Sequence, residues 1–269
     1  MAVAFSDSAP VVCVNFPGYP YALDDLLELV EAAEWKTQDG SRPLLVVLAR
    51  ETPDGQGRRL GHLVRGLAYR SDVALVTVRA SASAANLIRW AVLSLAGQVD
   101  IGLVPVLAHR LSASVQTVAV VDSVSKLTNA TATVTQHARS YLPGSCFVIS
   151  PGRPVVTGRT AGLMAWQALV ASMAGALGQS TAMDSWPGGA RDFAGCLPQQ
   201  APLLDSAWVS SGDWWGAKKW IEVSWIDQDA SQIAWEVSQA WFPRCSNCGQ
   251  PVDGTWCPFC RVANYGTAG

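Results

Sequence analysis

The sequence predicts an α/β fold with a layered first half, a mixed α+β second half and a small cysteine-containing module at the C-terminal end. Three observations lead to that prediction. In the first half, continuous apolar runs alternate with segments whose apolar residues recur at helical spacing. From about residue 128 that rhythm breaks into short β-branched runs. The end of the chain holds two closely spaced pairs of cysteines.

Continuous apolar runs in the first half predict the strands of a largely parallel sheet, because strands covered on both faces carry few polar residues. The runs are residues 11–14, 44–48, 73–78, 101–104 and 115–121. Alternating strands and helices predict right-handed βαβ units. We therefore expect a Rossmann-like layered sandwich over residues 1–127.

The helices of that sandwich are predicted from apolar residues at helical spacing. They fall at about residues 23–33, 60–68 and 87–95. Ser81 and Ser83 precede the last of these segments and are candidates for its N-terminal cap, since a serine hydroxyl accepts from free amides of the first turn.

Residues 128–242 predict a mixed α+β region packed on the first domain. Short strands are expected over 128–136, 146–149, 155–157 and 220–225, a helix over 160–177, an irregular stretch over 181–203, and a helix or strand over 233–241. Eight of the twelve tryptophans lie between Trp208 and Trp256. Large aromatic side chains are favoured anchors in protein interfaces, so this segment predicts a contact surface.

The strongest chemical pattern is Cys245-Ser-Asn-Cys248 followed by Cys257-Pro-Phe-Cys260. Two CxxC pairs at this spacing are typical of a tetrahedral four-thiolate zinc site. Gly249 supplies a permissive backbone just after the first pair, and Asp253-Gly254 predicts a tight hairpin between the pairs. The pattern resembles a compact zinc ribbon over about residues 243–262, within a C-terminal module and tail of residues 243–269.

The metal predicted for this module is one structural Zn²⁺ per chain, bound by Cys245, Cys248, Cys257 and Cys260. Four cysteine ligands leave no open position for catalysis. A redox pair of dithiols and an iron or iron–sulfur site are the alternatives. The other cysteines, Cys13, Cys146 and Cys196, stand in mostly apolar surroundings and suit a reducing compartment as small buried hydrophobes.

Composition leads to the functional prediction. Charged residues are 15% of the 269, apolar residues are 49%, and the net charge is -2. A surface this poor in charge predicts contact with protein partners or with further copies of the chain. Together with the closed metal site, this predicts a non-catalytic structural or adaptor subunit of a larger assembly, a class that includes viral or phage particle components.

A first alternative is an enzyme that binds a nucleotide or phosphate at the carboxyl edge of the first sheet. Residues 51–59 connect a predicted strand to a predicted helix, and Arg58 and Arg59 follow its turn residues. Ligands of parallel sheets bind at that edge, where Asn15 and residues 79–83 would also lie. Elsewhere, Asp122 ends an apolar strand as magnesium-binding aspartates do, and Cys146 is a weak candidate nucleophile. Neither residue has the motif that would support catalysis.

A second alternative is nucleic-acid binding through the zinc ribbon, which the resemblance allows. The residues of that surface would be Arg244, Arg261, Lys218, Lys219, Trp214, Trp215, Trp220, Trp256, Phe259 and Tyr265. Basic side chains would contact phosphates and aromatic rings would stack on bases. The opposing interpretation is that the aromatic residues pack the ribbon against the rest of the protein.

The opening residues 1–5 lack the basic start of a secretory signal, and residues 161–178 predict a buried helix rather than a membrane span. We therefore expect an intracellular, cytoplasmic protein, either free there or within a particle assembled there.

Overall fold

A computed structural model describes residues 3–5, 11–16, 44–50, 73–127, 130–158, 163–165, 167, 177–181 and 212–263. The predicted helices over 23–33 and 60–68, the loop at 51–57 and the irregular stretch at 181–203 lie outside these residues. The chain divides into two compact units. The first unit is Met1–Ala80, Ile88–Ser114 and Gln228–Gly269, and the second is Ser81–Leu87 and Val115–Asp227.

The first unit contains a four-stranded sheet in the order β1-β2-β3-β4. The strands are β1 (Val3–Phe5), β2 (Val11–Phe16), β3 (Leu44–Arg50) and β4 (Val73–Val78). β2, β3 and β4 are parallel, whereas β1 pairs antiparallel with β2. The predicted strands at 11–14, 44–48 and 73–78 are confirmed. Cys13 and the β3 segment from Leu45 to Ala49 are completely buried, as the continuous apolar runs indicated.

Helix α1 (Ala82–Leu95) confirms the helix predicted after β4. The Ser81 hydroxyl accepts from the Ala84 amide at 3.4 Å, so this serine satisfies a free donor of the first turn.

The predicted strand at 101–104 is wrong. Ile101–Leu103 is a 3₁₀ turn that leads directly into α2 (Val104–Ser114). A short apolar run does not distinguish a buried strand from the start of a buried helix. Pro105 lies in the first turn of α2, where backbone amides have no partner within the helix. Because proline has no amide hydrogen, it is well suited to this position.

The second unit contains a five-stranded antiparallel sheet in the order β7-β6-β5-β9-β8. Its strands are β5 (Val115–Val121), β6 (Phe147–Ile149), β7 (Val156–Thr157), β8 (Leu177–Thr181) and β9 (Trp220–Ile226). The strands predicted at 115–121, 146–149, 155–157 and 220–225 are therefore present. The expectation that 115–121 joins the parallel sheet is wrong, because β5 pairs antiparallel with β6 and β9.

Two further predictions in this half are corrected. Residues 134–136 are not a strand but open α3 (Val134–Arg139), where Thr133 and Gln136 form a reciprocal capping box. The cap satisfies two backbone amides at the start of the helix. This stabilisation outweighs the preference of the β-branched residues for a strand. The helix predicted over 160–177 is seen at residues 163–165 and 167, while Leu177 begins a strand.

Two further α-helices among the described residues are α4 (Gly212–Trp215) and α5 (Ala230–Gln239). The segment at 233–241, predicted as a helix or strand, is thus mostly helix α5. No helix among the described residues is long and apolar enough to cross a membrane.

Candidate metal centre

The four cysteines predicted as metal ligands come together in space. Their sulfur atoms all lie within 4.8 Å of one another. The Sγ atoms of Cys245 and Cys260 are 3.4 Å apart, and those of Cys248 and Cys257 are 3.5 Å apart. Thiolates about 2.3 Å from a tetrahedral zinc lie about 3.8 Å from one another. The donor set and its spacing therefore fit a single metal ion.

Residues 243–263, here called the cysteine module, build the centre from two similar turns. In the first turn, the Cys245 amide donates to the Gln250 carbonyl and the Gly249 amide donates to the Cys245 carbonyl, each at 2.9 Å. Gly249 has a φ of 73°, in the left-handed region that favours glycine. The sequence-based reason for a glycine at this position is confirmed.

The second turn repeats that pattern without the glycine. The Cys257 amide donates to the Val262 carbonyl and the Arg261 amide donates to the Cys257 carbonyl, each at 3.0 Å. Arg261 therefore stands where Gly249 stands in the first turn. Its φ of 60° makes it the one non-glycine residue in the described segments with a left-handed backbone.

The second turn also covers the free edge of the parallel sheet. The Leu75 amide of β4 donates to the Pro258 carbonyl at 2.9 Å. The Arg261 guanidinium donates to the Leu75 carbonyl at 3.4 Å. Both backbone groups of Leu75 on the side away from β3 are thus satisfied by the module. An uncovered edge strand would offer them to another chain.

The predicted hairpin at Asp253-Gly254 is a bend, and the β-bridges of the module, Arg244 with Pro251 and Trp256 with Ala263, each flank one cysteine turn. A polar contact holds this bend. Asp253 accepts from Arg110 Nε at 2.7 Å and from Arg110 Nη2 at 3.2 Å, and its Oδ2 lies 3.4 Å from His109 Nδ1. Bidentate arginine–carboxylate pairs are among the more directional ionic contacts. Sequence reasoning assigned no role to His109 or Arg110, and no local signal links α2 to a residue more than 140 positions away.

The thiols of the cluster have different acidities. Burial raises the pKa of Cys257 to about 12 and also raises the pKa of Cys248. Burial acts in the same direction on Cys260, but hydrogen bonds with Val262 and Asn247 outweigh it and lower its pKa to about 6. Among Cys248, Cys257 and Cys260, the pKa of Cys260 is therefore the one that is lowered, and the thiolate is the form that binds metal.

Other predicted candidates are placed as structural residues. Cys13 is fully buried, as predicted, and burial raises its pKa to about 12 against the opposing effect of Arg89, so burial favours the protonated thiol. Cys146 is also buried. Asp122 accepts from the Lys219 amide at 3.3 Å at the end of β5, the role of a strand-end cap. Residues 51–59 lie outside the described segments.

The second unit contains a buried polar network that sequence reasoning missed. Glu222 is completely buried, and its carboxylate accepts from the Ser83 amide at 2.9 Å and from the Trp215 indole N–H. The Ser224 hydroxyl lies 2.7 Å from that of Ser83 and 2.9 Å from that of Thr117. Alternation along β9 indicated a strand, but it gave no sign that a carboxylate on it would be buried.

The surface considered for nucleic-acid binding is used mostly for internal packing. Arg244 donates to the Gly249 carbonyl at 3.1 Å and Arg261 donates to Leu75, so both guanidinium groups stabilise the module. Phe259 is buried. Trp215 lies in the core of the second unit, and Trp214 and Trp220 pack against that core. Of the aromatic residues in that set that the structure describes, Trp256 is the one with a half-exposed ring.

Comparison with solved structures shows a shared fold. A DegV family protein from Eubacterium eligens, loaded with heptadecanoic acid, matches with a TM-score of 0.50 and 10% identity, over 79% of this chain and 87% of that chain. The Streptococcus pneumoniae fatty acid kinase (Fak) B3 protein, loaded with linoleic acid, matches with a TM-score of 0.51 and 10% identity, over 81% and 78%. No protein family and no curated protein matches the sequence.

The likeness shows an α/β fold of the kind seen in DegV family proteins, which confirms the predicted fold class at that level. The predicted function, a structural or adaptor subunit such as a viral particle component, is wrong: similar folds belong to proteins solved with fatty acids bound. Low charge and abundant tryptophan indicated an assembly surface; in that segment Trp215 and Trp225 are buried in the core, whereas Trp235, Trp241 and Trp256 are exposed. The nucleotide-binding and nucleic-acid-binding alternatives receive no support from these two proteins.

Proposed function

We propose that this chain binds a long-chain fatty acid. The observation that carries the proposal is the fold shared with two proteins that hold heptadecanoic acid and linoleic acid. Both likenesses extend over about four fifths of this chain. We assign the parallel strands β2, β3 and β4 to a Rossmann-like half of such a binding protein.

The composition of the chain supports the same proposal. With 15% charged and 49% apolar residues, the chain is rich in the residue types that line an acyl-chain site. Burial of each methylene contributes about 0.8 kcal/mol, which is about a fourfold gain in affinity. A long acyl chain therefore supplies enough free energy to exceed the cost of association.

We further propose that the cysteine module binds one structural zinc ion through Cys245, Cys248, Cys257 and Cys260. The support is a closed set of four sulfur donors at metal-binding distance. The metal would hold the two turns together and so keep the second turn on the edge of β4. Protein partners or a homo-oligomer, and the domain boundaries at 127 and 242, stay predictions.

A chain-length series tests the fatty-acid proposal. Delipidated protein is titrated calorimetrically with saturated acids of twelve, fourteen and sixteen carbons, and with the methyl ester of the longest acid. We expect affinity to rise by roughly fifteenfold for each two carbons, and the ester to bind more weakly because it lacks the carboxylate. Equal affinity across the series, or no binding, would contradict the proposal.

A further inference from the structure

Helix α3 and the turn after it expose three large apolar side chains in the second unit. Val134 is 86% exposed, Tyr141 is 80% exposed and Leu142 is 61% exposed. Single exposed apolar residues are ordinary, but a group of them on one element marks an interaction surface. The proposed functions assign no role to these residues.

The packing of α3 places this group on its outer side. Its inner side is fixed by two polar side chains that are one turn apart. The Gln136 side chain donates to the Val155 carbonyl at 2.7 Å, and the Ser140 hydroxyl accepts from an amide of the segment after β5 at 2.9 Å. Val134 and Tyr141 are seven positions apart, so they lie two turns apart on the side opposite to Gln136 and Ser140.

Basic side chains surround the same part of the second unit. Arg139 is exposed on α3 itself. The amide that Ser140 binds lies two residues before Lys126, which is also exposed. A Cβ atom at Gly216 would lie 2.9 Å from the Lys126 Cβ, so the exposed Lys218, two residues further on, lies close to Lys126. Arg139, Lys126 and Lys218 thus border the apolar group.

This surface has little negative charge to oppose them. Residues 123–183 contain no aspartate or glutamate, although the chain has 21 acidic residues. Asp122 precedes that range and accepts from the Lys219 amide. Among the residues that the structure describes, no carboxylate is ion-paired with Lys126, Arg139 or Lys218. The basic groups are therefore available to an anionic partner.

The combination of side chains favours a lipid surface over a macromolecule. Lysine is depleted in protein interfaces, and a second copy on this surface would bring groups of the same charge together. A nucleic acid would contact the basic groups, but Val134 and Leu142 offer its bases no ring to stack on. At a bilayer surface, aliphatic side chains enter the boundary of the acyl chains, tyrosine lies at the headgroup level, and basic side chains contact the anionic headgroups.

We propose that the outer side of α3 docks the protein on an anionic phospholipid surface. Val134, Tyr141 and Leu142 enter the boundary between headgroups and acyl chains. Lys126, Arg139 and Lys218 contact the headgroups from the rim. The proposal stands apart from fatty-acid binding, because it uses exposed side chains and phospholipids rather than an internal site and a free acid.

Vesicle sedimentation with the full zinc-loaded chain tests this docking. The vesicles are phosphatidylcholine alone, or equal parts of phosphatidylcholine and phosphatidylglycerol, and they contain no free fatty acid. We expect binding to the anionic vesicles that weakens as salt is raised, and much weaker binding to the neutral ones. Success or failure of palmitate binding leaves this result unchanged.

Variants locate the docking surface. Lys126→Gln and Lys218→Gln should each weaken binding to anionic vesicles by about fivefold, whereas Lys126→Arg and Lys218→Arg keep the charge and should retain it. The double variant Tyr141→Ser with Leu142→Ser should weaken binding by at least about fivefold. Trp241→Ser removes a side chain that is 84% exposed in the first unit and should leave vesicle binding unchanged.

Four results would overturn the proposal. The first is no binding to anionic vesicles, and the second is equal binding to neutral ones. The third is salt-sensitive binding to an oligonucleotide that displaces the vesicles, which would assign the surface to nucleic acid. The fourth is a dimer in analytical ultracentrifugation that the double serine variant converts to monomer, which would assign it to a second copy. If the double serine variant fails to fold, the lysine variants decide, and wild-type affinity in Lys126→Gln and Lys218→Gln counts against the proposal.

Discussion

The backbone amide of Leu75 in β4 donates to the carbonyl of Pro258, which lies between two cysteines of the metal centre, at 2.9 Å. This bond joins the edge of the parallel sheet to a turn whose geometry depends on Cys257 and Cys260. The state of the cysteine cluster should therefore be detectable at the sheet edge, within the first unit.

Removal of the metal should release that edge. The Cys257→Ser variant, or chelation of the wild type, should lower zinc from one ion per chain to none and speed hydrogen exchange at the Leu75 amide, because the second turn no longer holds its acceptor in place. Elemental analysis and exchange measured by NMR check the two effects.

The Val46 amide of central strand β3 serves as the internal control and should keep its protection, because β3 is paired on both sides. Cys146→Ser, outside the cluster, should retain zinc. Unchanged exchange at Leu75 in zinc-free protein would show that the edge does not depend on the metal.

Two substitutions of Arg261 separate its side chain from its backbone. Arg261→Ala removes the hydrogen bond to Leu75 but leaves a non-glycine residue in the left-handed backbone conformation. We expect it to lower the free energy of unfolding by about 1 kcal/mol. Arg261→Gly removes the same bond but relieves about 1 kcal/mol of backbone cost. The glycine variant should therefore be the more stable in urea unfolding with zinc present. Equal stability of the two variants would show that the left-handed backbone at position 261 carries no strain.

Gly216 cannot accept a side chain. Its φ is 60°, and a Cβ atom placed there would overlap the Lys126 carbonyl oxygen, a backbone atom. Gly216→Ala should destabilise the protein by about 3 kcal/mol or more. Gly152→Ala is the matched control, since Gly152 has a φ of 75° with open space around its Cβ position and should lose only about 1 kcal/mol. Urea unfolding with equal losses for both variants would contradict the steric explanation.

The buried carboxylate of Glu222 should be needed for stability. In Glu222→Gln one oxygen is replaced by a donor that faces an existing donor, either the Ser83 amide or the Trp215 indole, so we expect a loss on the order of 2 kcal/mol. Glu236→Gln, at an exposed position of helix α5, should change stability by less than about 0.5 kcal/mol. Thermal unfolding of both variants checks the difference. If Glu222→Gln leaves the stability unchanged, the network contributes little to the free energy of unfolding.

Sequence patterns predict best where burial alone decides the structure. The apolar runs at 44–48 and 73–78 form strands of a parallel sheet because both faces are covered. The run at 115–121 is equally clear as a strand, but its partners lie far away in sequence and place it in an antiparallel sheet. An apolar run specifies burial, not the neighbour with which a strand pairs.

A local pattern at the start of α3 explains another error. Thr133 and Gln136 have the spacing of a capping box, so the start of this helix is predictable from sequence. The four cysteine ligands are predictable because their spacing is local. The contacts of Asp253 with Arg110 and of Pro258 with Leu75 join residues far apart in sequence, and no local pattern could have indicated them.

Native mass spectrometry of protein purified without added lipid tests the proposed function most directly. We predict a folded chain carrying one fatty acid and one zinc ion, with the lipid identified after denaturation as a long-chain fatty acid. Wild-type protein that carries no fatty acid and, after delipidation, fails to take up palmitate would contradict the proposal. The zinc count in the same spectrum is read separately, because the metal site and the fatty-acid site are independent proposals.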